Sequence, residues 1–201
     1  LHISTGWGYW QKAVYEFIAR MLGRKTILHM HGADFKEFYT EASSLKKRLI
    51  RYFMKQCDAI IALSPAWKRY FARIVDEKKV FVLENAIEDR GEIGNRRRDS
   101  DVKTILFLSH VCKRKGAYDL VEALRNVELD YKMVFVGPLE DEKKFKSALE
   151  EAKIDHRCKI VGEVLGEKRF KYFSQADMFV LPSYAEGLPI ALLEAMSFGL
   201  P

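Results

Sequence analysis

Residues Thr104-Ile105-Leu106-Phe107-Leu108-Ser109-His110-Val111-Cys112-Lys113-Arg114-Lys115-Gly116 decide the fold class. The first five form an almost continuous apolar run, as in a parallel strand covered on both faces. A cationic loop follows, and 116–124 then reads as a helix. Strand, loop and helix in that order are the start of a right-handed βαβ unit. The rhythm continues downstream with strands over 132–136, 158–161 and 178–181, and helices over 140–152, 167–176 and 188–197. Upstream, strands fall over 25–30, 59–63 and 80–83, and helices over 11–22, 43–56 and 65–75. Ser64 suits an N-cap, and Pro65 the first helical position, where its missing N–H costs nothing.

Between the two series, 85–100 is polar and carries Gly91, Gly94, Asn95 and the Arg96-Arg97-Arg98 run. It reads as a linker. The expectation is therefore an α/β protein with two Rossmann-like domains, 1–92 and 93–201, each with its own parallel sheet. In such sheets ligands bind outside the C-terminal ends of the strands, so the loops after strands are the informative places.

Composition agrees with a folded protein. Of 201 residues, 48% are hydrophobic and 31% charged, too apolar for disorder. No apolar run reaches the roughly 18–20 residues of a membrane-spanning helix. The start, Leu1-His2-Ile3-Ser4, lacks a basic segment followed by an apolar one. Both ends read as truncations, so both domains are expected to be incomplete. Cys57, Cys112 and Cys158 are widely spaced and follow no metal-ligand pattern, which suits reduced thiols in a cytoplasmic protein. The net charge of +6 and pI of about 9.1 point to an anionic partner. Nucleic acid is not favoured, because aromatic and basic residues do not interleave as stacking platforms require.

The sharpest constellation is Leu181-Pro182-Ser183-Tyr184-Ala185-Glu186-Gly187-Leu188-Pro189-Ile190-Ala191-Leu192-Leu193-Glu194. A strand ends, a loop carries Glu186 and Gly187, and a helix opens near Pro189. The N–H groups and dipole of a helix start favour an anion, and Gly187 lets one approach the backbone. If helix covered all of Glu186 to Glu194, the rise would be about 12 Å. That exceeds the roughly 5–5.5 Å of a retaining glycosidase pair, and suits two carboxylates binding different hydroxyls of one ligand.

This Glu-to-Glu segment, with Ala195-Met196-Ser197-Phe198-Gly199-Leu200-Pro201 after it, resembles the signature of retaining family-4 glycosyltransferases of GT-B fold. The resemblance runs over essentially the whole chain. It implies two facing domains and transfer of a sugar from a nucleoside diphosphate donor, UDP or GDP, to a hydroxyl of a glycan or lipid-linked acceptor. It implies no cofactor and no metal. It gives Glu186, Gly187 and Leu188 contacts to the donor, and Glu194 the nucleotide ribose.

The loop after 104–108 carries Lys115-Gly116 where the family places its diphosphate-binding Lys-Gly pair. The family's earlier Gly-Arg is Ser109-His110 here. The second cation then falls to protonated His110, to Arg114, or is absent. His31-Gly32, after strand 25–30, match a His-Gly that faces the donor sugar in the family. Geometry alone would allow His29 and His31, at i and i+2, to share a metal. No acidic or thiol residue stands at ligand spacing, so no metal is expected. Gly137, Gly162 and Val164 follow strands, and the resemblance implies that they line the nucleobase pocket, as such loops do in the family. On this reading Glu186, His31 and Lys115 are the catalytic group.

The segment 43–57 carries Lys46, Lys47, Arg48, Arg51 and Lys55 without an acid, and Leu45, Leu49, Tyr52 and Phe53 share one helical face. That stripe reads as the core-packing face. The cations would let the protein lie on an anionic membrane, on the inner face of the cell membrane. The rival reading keeps fold and nucleotide pocket but has no catalysis, as a binding module.

Overall fold

The computed structural model describes residues 1–3, 5–31, 34–88 and 102–201. The linker's Arg96-Arg97-Arg98, the expected boundary at residue 92, and Gly32 lie outside these. The chain divides into two units, Leu1–Asn85 with Ala185–Leu188, and Ala86–Tyr184 with Pro189–Pro201.

The first unit runs β1 (His2–Ile3), α1 (Trp7–Met21), β2 (Ile27–Met30), α2 (Phe35–Glu41), α3 (Ser44–Gln56), β3 (Ala59–Ala62), α4 (Pro65–Phe71) and β4 (Val80–Val82). Its sheet is parallel, in the order β1-β2-β3-β4. Asp58 fixes the β2–β3 register by accepting from the Thr26 N–H at 2.7 Å. Ser64 caps α4, accepting from Trp67 N–H at 3.2 Å, and Pro65 follows as expected. Lys79 Nζ donates to the carbonyls of Lys55 and Cys57, both at 2.9 Å, and so satisfies the C-terminal end of α3. The core gathers Phe35, Ile50, Met54, Ile60, Ala62 and Phe71.

Three features differ from the sequence reading. Strand β1 is two residues long, too short for a periodic signal, and α2 lies in a stretch for which the sequence named no element. Helix α1 begins four residues earlier, at Trp7, because Gly6 takes a positive φ of 64° and turns the chain into it. On α3 the buried residues are Ile50 and Met54, whereas Leu45, Leu49 and Tyr52 are exposed. Of the stripe read as the packing face, Phe53 packs against the core, while the other three residues lie on an outer face beside the cations.

The second unit runs β5 (Lys103–Leu108), α5 (Ala117–Leu124), β6 (Tyr131–Val136), α6 (Glu142–Glu151), β7 (Cys158–Gly162), α7 (Phe170–Gln175), β8 (Met178–Phe179) and α8 (Ile190–Ser197). All pairs are parallel, in the order β7-β6-β5-β8. Alternate strand residues serve opposite cores, as a two-residue period requires. Phe107, Met133 and Phe135 pack with α5 and α6, while Leu106, Val134 and Val136 pack with α7 and α8. Both faces are therefore covered, which explains the unbroken apolar run at 104–108. Asp177 accepts from Thr104 N–H at 2.8 Å and ties β8 to β5. Helix α8 starts at Ile190, later than expected, with Pro189 as N-cap. Pro189 is itself extended, with φ −70° and ψ 123°, and the residue before a proline is disfavoured in helical backbone, so neither 188 nor 189 joins the helix.

Glu16 on α1 is 1% exposed, and neither carboxylate oxygen has a hydrogen-bond partner. Burial raises its pKa above 4.5, Arg20 opposes the shift, and Asp58 adds to it. The folded state therefore keeps its proton to higher pH than the unfolded chain. This group's stabilising contribution is full below the unfolded value and is lost as pH rises through the folded one. Glu16→Gln should melt higher than the parent at pH 7.5, with the gap closing as pH falls towards about 4.3. A gap unchanged across that range in thermal melts contradicts this.

Candidate functional site

Strand order reverses between β5 and β8: β6 and β7 succeed β5 on one side, and β8 returns to the other. Such a reversal opens a crevice beyond the strand ends. The loop after β5 forms a 3-10 turn, Lys113–Lys115, which sets three cations side by side in sequence. Gly116 ends that turn with φ 71° and begins α5. A Cβ at Gly116 would lie 2.0 Å from the Pro182 carbonyl oxygen, so the loops after β5 and β8 touch backbone to backbone. Tyr184 strengthens the join. Its N–H donates to Arg114 O at 3.1 Å, and its hydroxyl to Asp119 at 2.8 Å.

The loop after β6 is built in the same way. Gly137 has φ 140°, and a Cβ there would meet Ser109 O at 2.0 Å. Its N–H donates to Gly162 O at 2.8 Å. Ser109, His110, Lys115 and Gly137 thus belong to adjoining loops at one end of the second sheet, beside Gly162, the last residue of β7. Val164 is part-buried against the α7–α8 core.

Glu194 is 5% exposed on α8. Arg169, from the 3-10 turn Gly166–Arg169, grips it: Nε donates to the two carboxylate oxygens at 3.1 and 3.0 Å. A further hydrogen bond runs from Nη2 to Oε1. Arg169 also donates to Gly166 O at 2.8 Å. The pair lines a cavity of about 300 Å³ with Glu88, Glu167, Ile190 and Ser197. Ile190, Glu194 and Ser197 recur at helical spacing, so one face of α8 forms that wall. Sequence reading missed Arg169, because 25 residues separate it from its partner and its neighbours Glu167 and Lys168 make it look like solvated charge.

Glu186, Gly187 and Leu188 precede α8 and group with the first unit. Only 190–194 of the Glu186-to-Glu194 span is helical, so the 12 Å helical rise does not apply. Asn85 donates its amide N–H to Leu188 O at 2.7 Å, and a Cβ on Gly187 would meet Leu63 Cδ1 at 2.9 Å. Glu186 is half-buried.

His31 follows β2. Parallel register sets His2 opposite His29, and His31 lies two residues on. His2 Nδ1 stands 2.9 Å from His31 Nε2, and ligand atoms of His2, His29 and His31 lie within 4.8 Å of one another. Burial, then His31 and His2, hold His29 below the usual imidazole range; burial and then His2 do the same for His31. Spacing along the chain offered no third ligand beside His29 and His31; strand pairing supplies His2.

The family described as glycosyl transferases group 1 matches residues 89–201, and the glycosyltransferase family 4 description matches 3–90. The amylovoran biosynthesis glycosyltransferase AmsK of Erwinia amylovora is 28% identical over 196 residues, covering 90% of this chain and 47% of AmsK. An α-1,4-N-acetyl-D-galactosaminyltransferase of Campylobacter jejuni, whose name specifies a PP-undecaprenol-linked glycan, is 28% identical over 189 residues, 90% of this chain and 49% of its own. The solved structure of Anabaena HepE in complex with UDP aligns with a TM-score of 0.76 at 18% identity, over 94% of this chain and 55% of that one. That likeness carries the fold, which is of GT-B type. The chain spans about half the length of the curated relatives it matches.

Loss of Arg169 would leave a buried carboxylate without its partner. Complete burial of such a pair makes that loss cost about 3–5 kcal/mol. The Arg169 side chain is 29% exposed, so Arg169→Ala should cost less, about 1–3 kcal/mol in denaturant melts. Adding Glu194→Gln should recover part of it, whereas simple additivity of the two substitutions would contradict the coupling.

Proposed function

The chain belongs to the glycosyl transferases group 1 family, and on that premise we propose that the whole protein transfers a sugar from a nucleoside diphosphate donor to a hydroxyl acceptor with retained anomeric configuration. The observation that carries this reading is the gripped, buried Glu194 in the wall of a polar cavity of the second unit. A carboxylate offers about four lone-pair sites, and Arg169 uses three contacts. Glu194 thus keeps capacity to accept from ribose hydroxyls, with Arg169 as the residue that orients it.

The diphosphate falls to the cationic turn. Lys115 is a compact charge suited to phosphate oxygens, with Arg114 or protonated His110 as the second cation. Helix α8 adds its first-turn N–H groups, since Pro189 provides no side-chain cap. As the glycosidic bond to phosphate breaks, negative charge grows on the diphosphate and these preorganised donors stabilise it. Positive charge grows on the sugar, which Glu186 and His31 would meet. Gly187 and Leu188 bind the donor through backbone, and Gly137, Gly162 and Val164 line the base. No protein nucleophile is needed when the acceptor oxygen bonds to the anomeric carbon on the face from which the phosphate departs, and the leaving phosphate takes the acceptor proton. The acceptor is a glycan or a lipid-linked glycan.

Nucleotide binding tests this first. UDP or GDP should raise the melting temperature, with stabilisation of about 2.7 kcal/mol at a hundredfold excess over Kd. Glu194→Ala and Lys115→Ala should remove most of the shift. Glu186→Ala should keep it while lowering turnover by about 10²–10³. Binding without turnover in the intact protein favours the non-catalytic module. No shift with UDP, GDP or ADP would refute the donor reading.

The exposed stripe of Leu45, Leu49 and Tyr52, beside the α3 cations, supports a peripheral seat on an anionic membrane. The described helices include none long and apolar enough to cross one. The protein should co-sediment with phosphatidylglycerol vesicles at low salt, and replacing Lys46, Arg48 and Arg51 with Glu should release it. Equal sedimentation of that variant would contradict this seat.

A further inference from the structure

We propose that His2, His29 and His31 form a binding site for a single first-row transition-metal dication of the zinc class. The scaffold for such a site is the sheet itself. His2 and His29 are register partners on neighbouring parallel strands, and His31 follows His29 by two residues. Residues two apart on a strand project to the same side, so three imidazoles converge at the C-terminal end of β1 and β2.

The geometry fits one ion. A tetrahedral dication holds each imidazole nitrogen at about 2.0–2.1 Å, which puts ligand nitrogens roughly 3.3 Å apart. Here one nitrogen pair stands at 2.9 Å, and all three ligand atoms fall within 4.8 Å. The ring centroids are 3.9, 4.9 and 5.2 Å apart, so the three rings form one cluster.

A second observation comes from His29. Its Nε2 is buried and has no hydrogen-bond partner. Buried polar atoms are nearly always satisfied, and an ion is one of the few explanations for one that is not. A neutral ring nitrogen without a donor facing it is a ready ligand.

The ligand set selects the metal class. Three imidazoles without a carboxylate suit Zn²⁺, Ni²⁺ or Cu²⁺, whereas Mg²⁺ and Ca²⁺ demand oxygen. Three neutral ligands also leave a coordination position for water or another ligand. On the donor reading above, an ion here would engage His31 and so withdraw it from the sugar. The metal-binding test stands apart from that consequence, because it needs no donor and no turnover.

The experiment uses tag-free protein stripped with chelator. Zn²⁺ is titrated by calorimetry, and Co²⁺ by its visible absorption. The expected result is saturable uptake of one ion that millimolar Mg²⁺ does not displace. His2→Asn and His31→Asn, both at exposed positions and therefore compatible with folding, should each weaken uptake by about 10–100-fold or more. His156→Asn, an exposed histidine of the second unit, should leave it unchanged. Absence of a saturable one-to-one phase overturns the proposal. So does uptake that survives both His2→Asn and His31→Asn, with far-UV circular dichroism confirming that the variants are folded.

Discussion

The Pro182 carbonyl occupies the place where a side chain at residue 116 would begin. This contact joins the loop after β5 to the loop after β8 at the point where strand order reverses. Much else about the second unit depends on it. It demands glycine at 116, both for the 71° φ and for the missing Cβ. It ends the cationic turn at Lys115 and starts α5. It brings the segment that leads into α8 alongside that turn, with the two Tyr184 hydrogen bonds holding the join. Gly137 repeats the device against Ser109. The end of the sheet proposed above to take the diphosphate is thus shaped by backbone packing, before any side chain contributes charge.

Charge is then placed with economy. Among the described residues of the second unit Glu194 is the one buried acid, and the Arg169 guanidinium grips it. Arg169 in turn sits higher than its usual pKa, first through those hydrogen bonds. A carboxylate so held presents fixed acceptors to a cavity, as recognition of neutral hydroxyls requires. Glu16 in the first unit is the opposite case, buried on α1 with no hydrogen-bond partner and with the Arg20 charge only partly opposing the burial.

Much of this was legible in the chain. The apolar run at 104–108, the Ser64-Pro65 helix start and the helix opening at Gly116 all rest on local physics, and local physics can be read along the sequence. What was not legible depends on register or on tertiary packing. His2 lies far along the chain from His29, and only the pairing of β1 with β2 makes them neighbours. Arg169 meets Glu194 through the packing of a 3-10 turn on α8. The α3 wheel has two apolar stripes, and the sheet selects Ile50 and Met54 over Leu45 and Leu49. The start of α8 was misplaced although the rule was available: a proline disfavours helical backbone in the residue before it, and Pro189 is itself extended.

Hydrogen exchange with and without UDP tests the central claim most directly, because it reports local opening region by region. The account predicts that nucleotide protects amides of 109–117, 163–170 and 189–195, while exchange in β3 and β4 stays as it was. Protection spread evenly over the chain, or absent from 109–117 and 189–195 at saturating UDP, would contradict a donor site built on the β5–β8 reversal.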